Sequence, residues 1–220
     1  MNRMRNRLTA FLASTALALV IGVHPAAAEP LPAPEIFATS NTAVITDPDD
    51  PRLRTRLVRF DIEVRGIIAT NGGRTERSTL LDGVFWSSSL QQTTYERSRK
   101  FDVRGLSSDG LHHAADVVRK QYQQESVLTF EFLPKMSPRI NAVQVEVPGV
   151  TPKQLRDGLA NDPVAREKIG GGSVTMHDKL ILVADRDDLS LVKAFVIKIG
   201  GNWANSTTRQ GAWEFVSTVE

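Results

Sequence analysis

The sequence contains no cysteine, and this absence excludes one large group of structural and chemical options. Disulfides and thiolate metal sites are both ruled out, so the fold has to be stabilised by packing alone. The sequence contexts of two common catalytic devices are missing as well. Ser87–Ser89 lacks the G-x-S-x-G pattern of a nucleophile elbow. Gly170–Gly172 ends a predicted helix, whereas a phosphate loop precedes the helix whose amino end binds the anion.

Long apolar segments without a charged residue are also scarce. Such a segment lies at the amino terminus, over Leu8–Val23. Its length of about 16 residues is below the ~20 that a membrane-spanning helix needs. Three arginines precede it, and Ala26–Ala28 supplies the small side chains that signal peptidase requires. We therefore predict a signal peptide over residues 1–28, cleaved after Ala28. The mature protein is then expected to be periplasmic or secreted.

Charge of one sign is also lacking once this signal is removed. The whole chain has 27 Lys and Arg against 25 Asp and Glu. Taking away the three arginines of the signal leaves 24 basic residues against 25 acidic ones, a net charge of −1. The balance gives no support for binding to nucleic acid or to an anionic membrane.

Prolines dominate the start of the mature chain. Five of them fall between Glu29 and Pro51. Each removes a backbone donor and favours an extended conformation at the preceding residue. We predict a proline-rich extended arm over residues 29–54, followed by two subdomains over residues 55–134 and 139–220.

The first subdomain is predicted to be an antiparallel meander with one helix, in the order βββαβ. Residues 57–68 alternate between apolar and charged side chains, which is the period of a half-buried strand. Thr75–Trp86 and Tyr95–Val103 are expected to be the next two strands. In the last of these, Glu96, Lys100 and Asp102 form a dense charged face. The helix begins near Asp109, and Val127–Leu133 is the strand that follows it.

The second subdomain is predicted to have the order βαββα(β), which gives an α+β fold class overall. Thr151 and Pro152 have the residue types of an N-cap and a first helical position. Leu180–Val183 is apolar enough to be a central strand. A helix with Leu189, Val192 and Val196 on one face follows, and a closing strand is expected near Trp213–Val219.

Residues 140–202 resemble the small ring-building periplasmic domains of secretins, the outer-membrane channels of bacterial secretion and pilus systems. The resemblance rests on Val150–Leu155, Gly170–Val174 and Leu180–Asp185, which match that family's capped helix, hairpin start and apolar strand. It implies a non-catalytic envelope protein that docks on a larger assembly or associates with itself.

The candidate catalytic residues are few. His112 and Asp116 are four residues apart on a predicted helix, so the carboxylate could orient the imidazole, and His113 is adjacent. A metal site needs about three ligands, and the other histidine after the signal, His177, lies in the other subdomain. Asp178, Asp185, Asp187 and Asp188 lack the spacing of a calcium loop. No metal and no cofactor are predicted.

We therefore predict an exported, soluble envelope protein that acts as a non-catalytic binding or assembly factor in a secretion, pilus or surface-polymer system. Its partner would be an envelope protein or a second copy of itself, with no nucleic acid involved and no membrane span after cleavage. The alternative is a small periplasmic hydrolase or lyase that uses His112, His113 and Asp116.

Overall fold

A computed structural model describes residues 30–217 of the chain. The predicted signal peptide lies outside these residues. The strands are β1 to β8 in chain order: Glu35–Thr39, Arg74–Ser87, Gln92–Arg104, Ser126–Phe132, Ala142–Pro148, Gly171–Thr175, Lys179–Asp185 and Thr207–Ser217. The helices are α1 to α5: Val58–Thr70, Ser108–Gln121, Pro152–Asn161, Pro163–Lys168 and Leu189–Lys198. Three short 3-10 helices cover Pro51–Arg54, Arg186–Asp188 and Trp203–Asn205.

All eight strands form one closed antiparallel barrel, in the order β1-β3-β2-β6-β7-β5-β8-β4. The predicted fold class, an open meander followed by a separate βαββα(β) subdomain, is therefore wrong. Strands from both predicted subdomains pair directly: β2 with β6, and β4 with β8. The physical reason is that each half on its own would leave two sheet edges unpaired, and pairing these edges satisfies their backbone groups.

The two halves repeat the same arrangement. Residues 35–132 form βαββαβ with the sheet order β4-β1-β3-β2, and residues 142–217 form the same element types with the order β8-β5-β7-β6. In the second half the first helix is split in two, because Asp162 caps the new helix α4 and Pro163 starts it. The barrel is thus two split βαβ units joined edge to edge.

The segment Leu57–Ile68, predicted to be a strand, is mostly the helix α1. Phe60, Val64, Ile67 and Ile68 are its buried residues, and their spacing of four, three and one is helical. Val58 and Ile62, which share the predicted strand face, are 60% and 64% exposed. Two ion pairs at i,i+4, Arg59 with Glu63 and Arg65 with Asp61, also form only in a helix.

The predicted arm contributes to the barrel instead of standing apart from it. Its residues Glu35–Thr39 are β1, which pairs with both β3 and β4. Four of these five residues are buried. Further along, Ile45 is buried and its carbonyl accepts a hydrogen bond from the amide of Tyr95 at 2.8 Å. The prolines of this region flank the strand and do not interrupt it.

Several helix predictions are confirmed. Five apolar residues repeat at helical spacing in the sequence of α2, and four of them, Leu111, Ala114, Ala115 and Val118, are buried, while the fifth, Tyr122, is partly buried at the C-cap. Thr151 caps α3 as expected: its hydroxyl accepts from the amide of Gln154, and the Gln154 side chain accepts from the amide of Thr151.

The helices pack on the outside of the barrel and produce two separate cores. One core lies between α1, α2 and the outer face of the first half, where Ile36 and Phe101 are fully buried. The other lies between α3, α5 and the outer face of the second half, around Leu155 and Phe195. Outward-facing apolar residues of the strands contribute to these cores, and the alternate residues face the interior of the barrel.

Candidate functional site

The inward-facing residues of the barrel follow from the strand register. On β3 they are Glu96, Ser98, Lys100 and Asp102, because Phe101 and Val103 belong to the outer core. Two contacts between strands that are not neighbours in the sheet confirm this assignment. The side chain of Gln144 on β5 donates to that of Glu35 on β1 at 2.5 Å. Phe37 and Val183 belong to one hydrophobic cluster with Phe130.

A cavity of about 520 Å³ occupies the end of the interior at which β2 finishes and β3, β4 and β6 begin. Apolar side chains form most of its wall: Phe37, Phe85, Leu128, Ile181, Val183, Trp213 and Phe215. The polar groups among them include Glu96, Ser98, Ser126 and Ser173. An eight-stranded barrel is just wide enough to be filled by side chains or to hold one small ligand, and this volume is within the usual range of ligand pockets.

Two glycines make the wall of this cavity possible. A Cβ atom on Gly171 would lie 2.4 Å from the Cδ1 atom of Phe85 and 2.6 Å from the carbonyl oxygen of Val84. A Cβ atom on Gly83 would lie 2.6 Å from the Cε2 atom of Phe85. The Phe85 ring therefore lies against two strand positions that have no side chain. The glycines of β2 and β6 fix this aromatic ring in the cavity wall.

Glu96 is the ionisable group of β3 that lines this cavity. Burial raises the pKa of its carboxyl to about 7, and a hydrogen bond from the Ser98 hydroxyl opposes this shift only in part. No salt bridge to Glu96 forms within residues 30–217. The neighbouring cations of β3 are already paired, Arg97 with Asp82 and Lys100 with Glu35 and Asp102. Glu96 is thus a cavity carboxyl without a counter-ion in the described part of the chain.

The charged groups one step further along the strands close the inner end of the cavity. Lys100 and Glu35 form an ion pair, and both side chains are 4% exposed. Lys100 also lies 3.1 Å from Asp102, whose other oxygen accepts from Arg77 at 2.8 Å. Burial by itself lowers the pKa of Lys100, but Glu35 and Asp102 outweigh it and hold this pKa above its usual range. Each charged side chain of this network thus has an oppositely charged neighbour, although Oδ1 of Asp102 makes only the ion-pair contact with Lys100 and no hydrogen bond.

The predicted catalytic residues lie outside the barrel, on α2. Asp116 is bound by Lys120 at 2.6 Å and by Arg119 at 2.8 Å, and these hydrogen bonds hold the pKa of its carboxyl below the usual range. His112 instead lies 3.4 Å from Glu214 of β8, and His113 is exposed. The structure therefore does not bring His112 and Asp116 together as an imidazole–carboxylate pair. Within residues 30–217, no group of three or more His, Asp or Glu side chains could hold a metal ion.

Glu96 and the aromatic wall were not among the residues predicted to be functional. A signal for Glu96 was present in the sequence, because a strand with a dense charged face on one side and apolar residues on the other fits a polar barrel interior as well as a solvated sheet. Phe85 and Phe215 carried no such signal. They converge only because β2 and β8 meet the same lumen from opposite sides of the barrel.

Comparison with protein-family models, with curated proteins and with solved structures finds no match to this chain. The resemblance of residues 140–202 to secretin domains therefore remains a prediction. Of the helices within residues 30–217, none has both the length and the apolar character that crossing a membrane requires.

Proposed function

We propose that this protein binds a small, largely apolar molecule inside its barrel. The observation that carries the proposal is the 520 Å³ cavity, which is lined by aromatic and aliphatic side chains and contains the inward-facing carboxyl of Glu96, to which no salt bridge forms within residues 30–217. A well-formed apolar pocket with a few polar groups converging on it is the usual form of a small-molecule site. In the closed barrel β2 and β4 are paired on both sides, β2 with β3 and β6 and β4 with β1 and β8, so we propose the cavity and not a sheet edge as the binding surface.

The proposal keeps the broader prediction of an exported, non-catalytic binding protein and gives it a binding surface. Export and a place in the envelope are supported by the features of residues 1–28 alone. A protein partner or self-association remains a prediction from the resemblance to secretin domains. The enzyme alternative loses support, because Asp116 is engaged by Arg119 and Lys120 instead of His112.

The proposal is tested by titrating the purified protein with N-phenyl-1-naphthylamine, a neutral dye whose emission rises in apolar surroundings. Saturable binding to one site is expected. The variant Val183→Trp fills part of the cavity with a larger side chain and should weaken the affinity at least about tenfold, since it removes space that the dye needs. Val183 is one of the residues that line the cavity.

The matched control is Val164→Trp, the same substitution at an exposed residue of α4 that does not line the cavity. Its affinity for the dye should stay within about twofold of wild type, as expected for a surface change. A lack of saturable binding to the wild-type protein would overturn the proposal. So would equal affinities of the two tryptophan variants when both are folded by circular dichroism.

A further inference from the structure

The charged side chains that line the cavity are distributed unevenly between its interior and its mouth. Its inward carboxyl, Glu96, has the Ser98 hydroxyl as a partner and no cation. The other charged residues that line the same cavity, Glu167 and Lys168, are exposed at its mouth on α4. Glu96 also lines an adjoining cavity of about 350 Å³, together with Phe85, Gln124 and Ser126. Glu96 therefore lines both of these adjoining cavities.

An unpaired carboxyl in a partly apolar cavity is costly to keep ionised, and a cation that entered the cavity would remove that cost. An ammonium group adds Coulombic attraction to its hydrogen bond with the carboxylate, whereas a neutral donor supplies the hydrogen bond alone. An anionic ligand would meet Glu96 as a like charge. Charge complementarity therefore favours a cationic ligand over a neutral or an anionic one of the same shape.

The aromatic side chains around Glu96 point to the same class of ligand. Phe37, Phe85, Trp213 and Phe215 line the cavity, and the rings of Trp213 and Phe215 lie 5.4 Å apart between centroids. The faces of aromatic rings attract cations through their quadrupole, and this attraction is stronger in desolvated surroundings. The same rings also provide the apolar surface for the body of the ligand.

We infer that the ligand is an organic amine, protonated when bound, whose ammonium group pairs with Glu96 while its apolar body contacts the aromatic wall. The inference rests on the proposed function, since it names the class of molecule that the cavity takes. Its consequence is that selectivity among ligands of equal shape is set by charge, and that Glu96 is the residue that sets it.

The experiment compares three probes of nearly the same shape by calorimetry at pH 8: 1-naphthylmethylammonium, 1-naphthylmethanol and 1-naphthoate. At this pH the Glu96 carboxyl, with its pKa of about 7, is mostly ionised in the empty protein. We expect the ammonium compound to bind wild type at least about tenfold more tightly than the alcohol, and the carboxylate to bind most weakly.

The variant Glu96→Gln keeps the size of the side chain and removes its charge. In this variant the ammonium compound should lose its advantage, so that it binds within about threefold of the alcohol, while the affinity for the alcohol stays near wild type. Glu167→Gln, at the mouth of the same cavity, is the matched control and should keep the wild-type preference. Glu96→Asp retains the carboxylate and should retain a preference for the ammonium compound if Glu96→Gln fails to fold.

The outcomes separate the two proposals. If wild type binds the alcohol and the ammonium compound equally, or if Glu96→Gln keeps the full preference, the inference about amines is overturned and the binding cavity stands. If none of the three probes and no neutral dye binds, the cavity is not a ligand site and the proposed function fails with it.

Discussion

The side-chain amide of Gln144 donates a hydrogen bond of 2.5 Å to the carboxylate of Glu35 across the interior of the barrel. The two residues belong to β5 and β1, the first strands of the two βαββαβ halves. Glu35 also pairs with Lys100, so this one carboxylate links the halves and closes the inner end of the cavity. The charged network around Glu35 therefore lies in the middle of the barrel, and the cavity lies at the end next to this network.

Removing the cation from this network should destabilise the protein strongly. Lys100→Met leaves the buried carboxylates of Glu35 and Asp102 without their shared partner, and we expect a loss of about 3–5 kcal/mol in the free energy of unfolding. Urea denaturation measures it. The control Lys120→Met removes a lysine whose side chain is 66% exposed and should cost less than about 1 kcal/mol. Similar losses in the two variants would contradict the buried pairing.

Glu35 and Lys100 should also be energetically coupled. The double variant Glu35→Gln with Lys100→Met removes both charges, so it should cost less than the two single variants added together by about 1–3 kcal/mol. A double-mutant cycle in urea gives this coupling energy. Additive costs would show that the two side chains do not interact in solution.

The stability of the protein should fall as the pH rises from about 5 to about 7, because of Glu96. The pKa of this carboxyl is raised from 4.5 to about 7 in the folded state, so the folded protein holds a proton that the unfolded chain releases. This contribution is complete below about pH 4.5 and is lost as the pH rises through 7, with a slope of up to about 1.4 kcal/mol per pH unit. Unfolding in urea at several pH values measures the slope.

The variant Glu96→Gln cannot release this proton, so its stability should vary less with pH over the same interval. The difference between the two proteins isolates Glu96, because every other residue is the same in both. Parallel pH profiles for wild type and Glu96→Gln would show that the carboxyl is not buried as described.

The assignment of residues 58–70 as the helix α1 can be tested by two substitutions. Their expected effects on the free energy of unfolding differ between a helix and a strand. Phe60→Ala removes a ring that packs against Tyr122 and Phe101, with centroids 4.7 and 6.0 Å away, and should cost about 3–5 kcal/mol. Val58→Ala should change the free energy of unfolding by less than about 0.5 kcal/mol, since Val58 is 60% exposed. In a strand, both side chains would lie on the buried face and both variants would be destabilised.

Export can be tested with the full chain expressed in a bacterium. We expect a processed protein in the periplasm or medium whose amino terminus is Glu29, as read by mass spectrometry. Replacing Leu17 and Leu19 by arginine interrupts the apolar run and should leave an unprocessed protein inside the cell. A processed product from that variant, or a wild-type chain that keeps residues 1–28, would contradict the signal peptide.

The helices α2, α3 and α5 could be located from the sequence because their signals are local. Leu111, Ala114 and Val118 repeat at helical spacing, and Thr151 with Gln154 forms a capping box within four residues. The segment around Phe60 and Val64 was ambiguous, since both residues fit a strand of period two and a helix of period 3.6. The choice between the two periods depended on α1 packing against Phe101, which is far away in the sequence.

The candidate site could also be predicted only in part, because it depends on contacts between residues that are far apart in the sequence. The charged face of β3 was visible in the sequence, but its environment was not, because alternation gives two faces without saying which one meets water. By itself, the sequence determined the lack of disulfides and the positions of α2, α3 and α5, and it predicts a cleavable export signal. Tertiary structure decided the rest: closing two half-sheets into one barrel turned the face of Glu96, Lys100 and Asp102 inward, and placed Phe85 and Trp213 around one cavity.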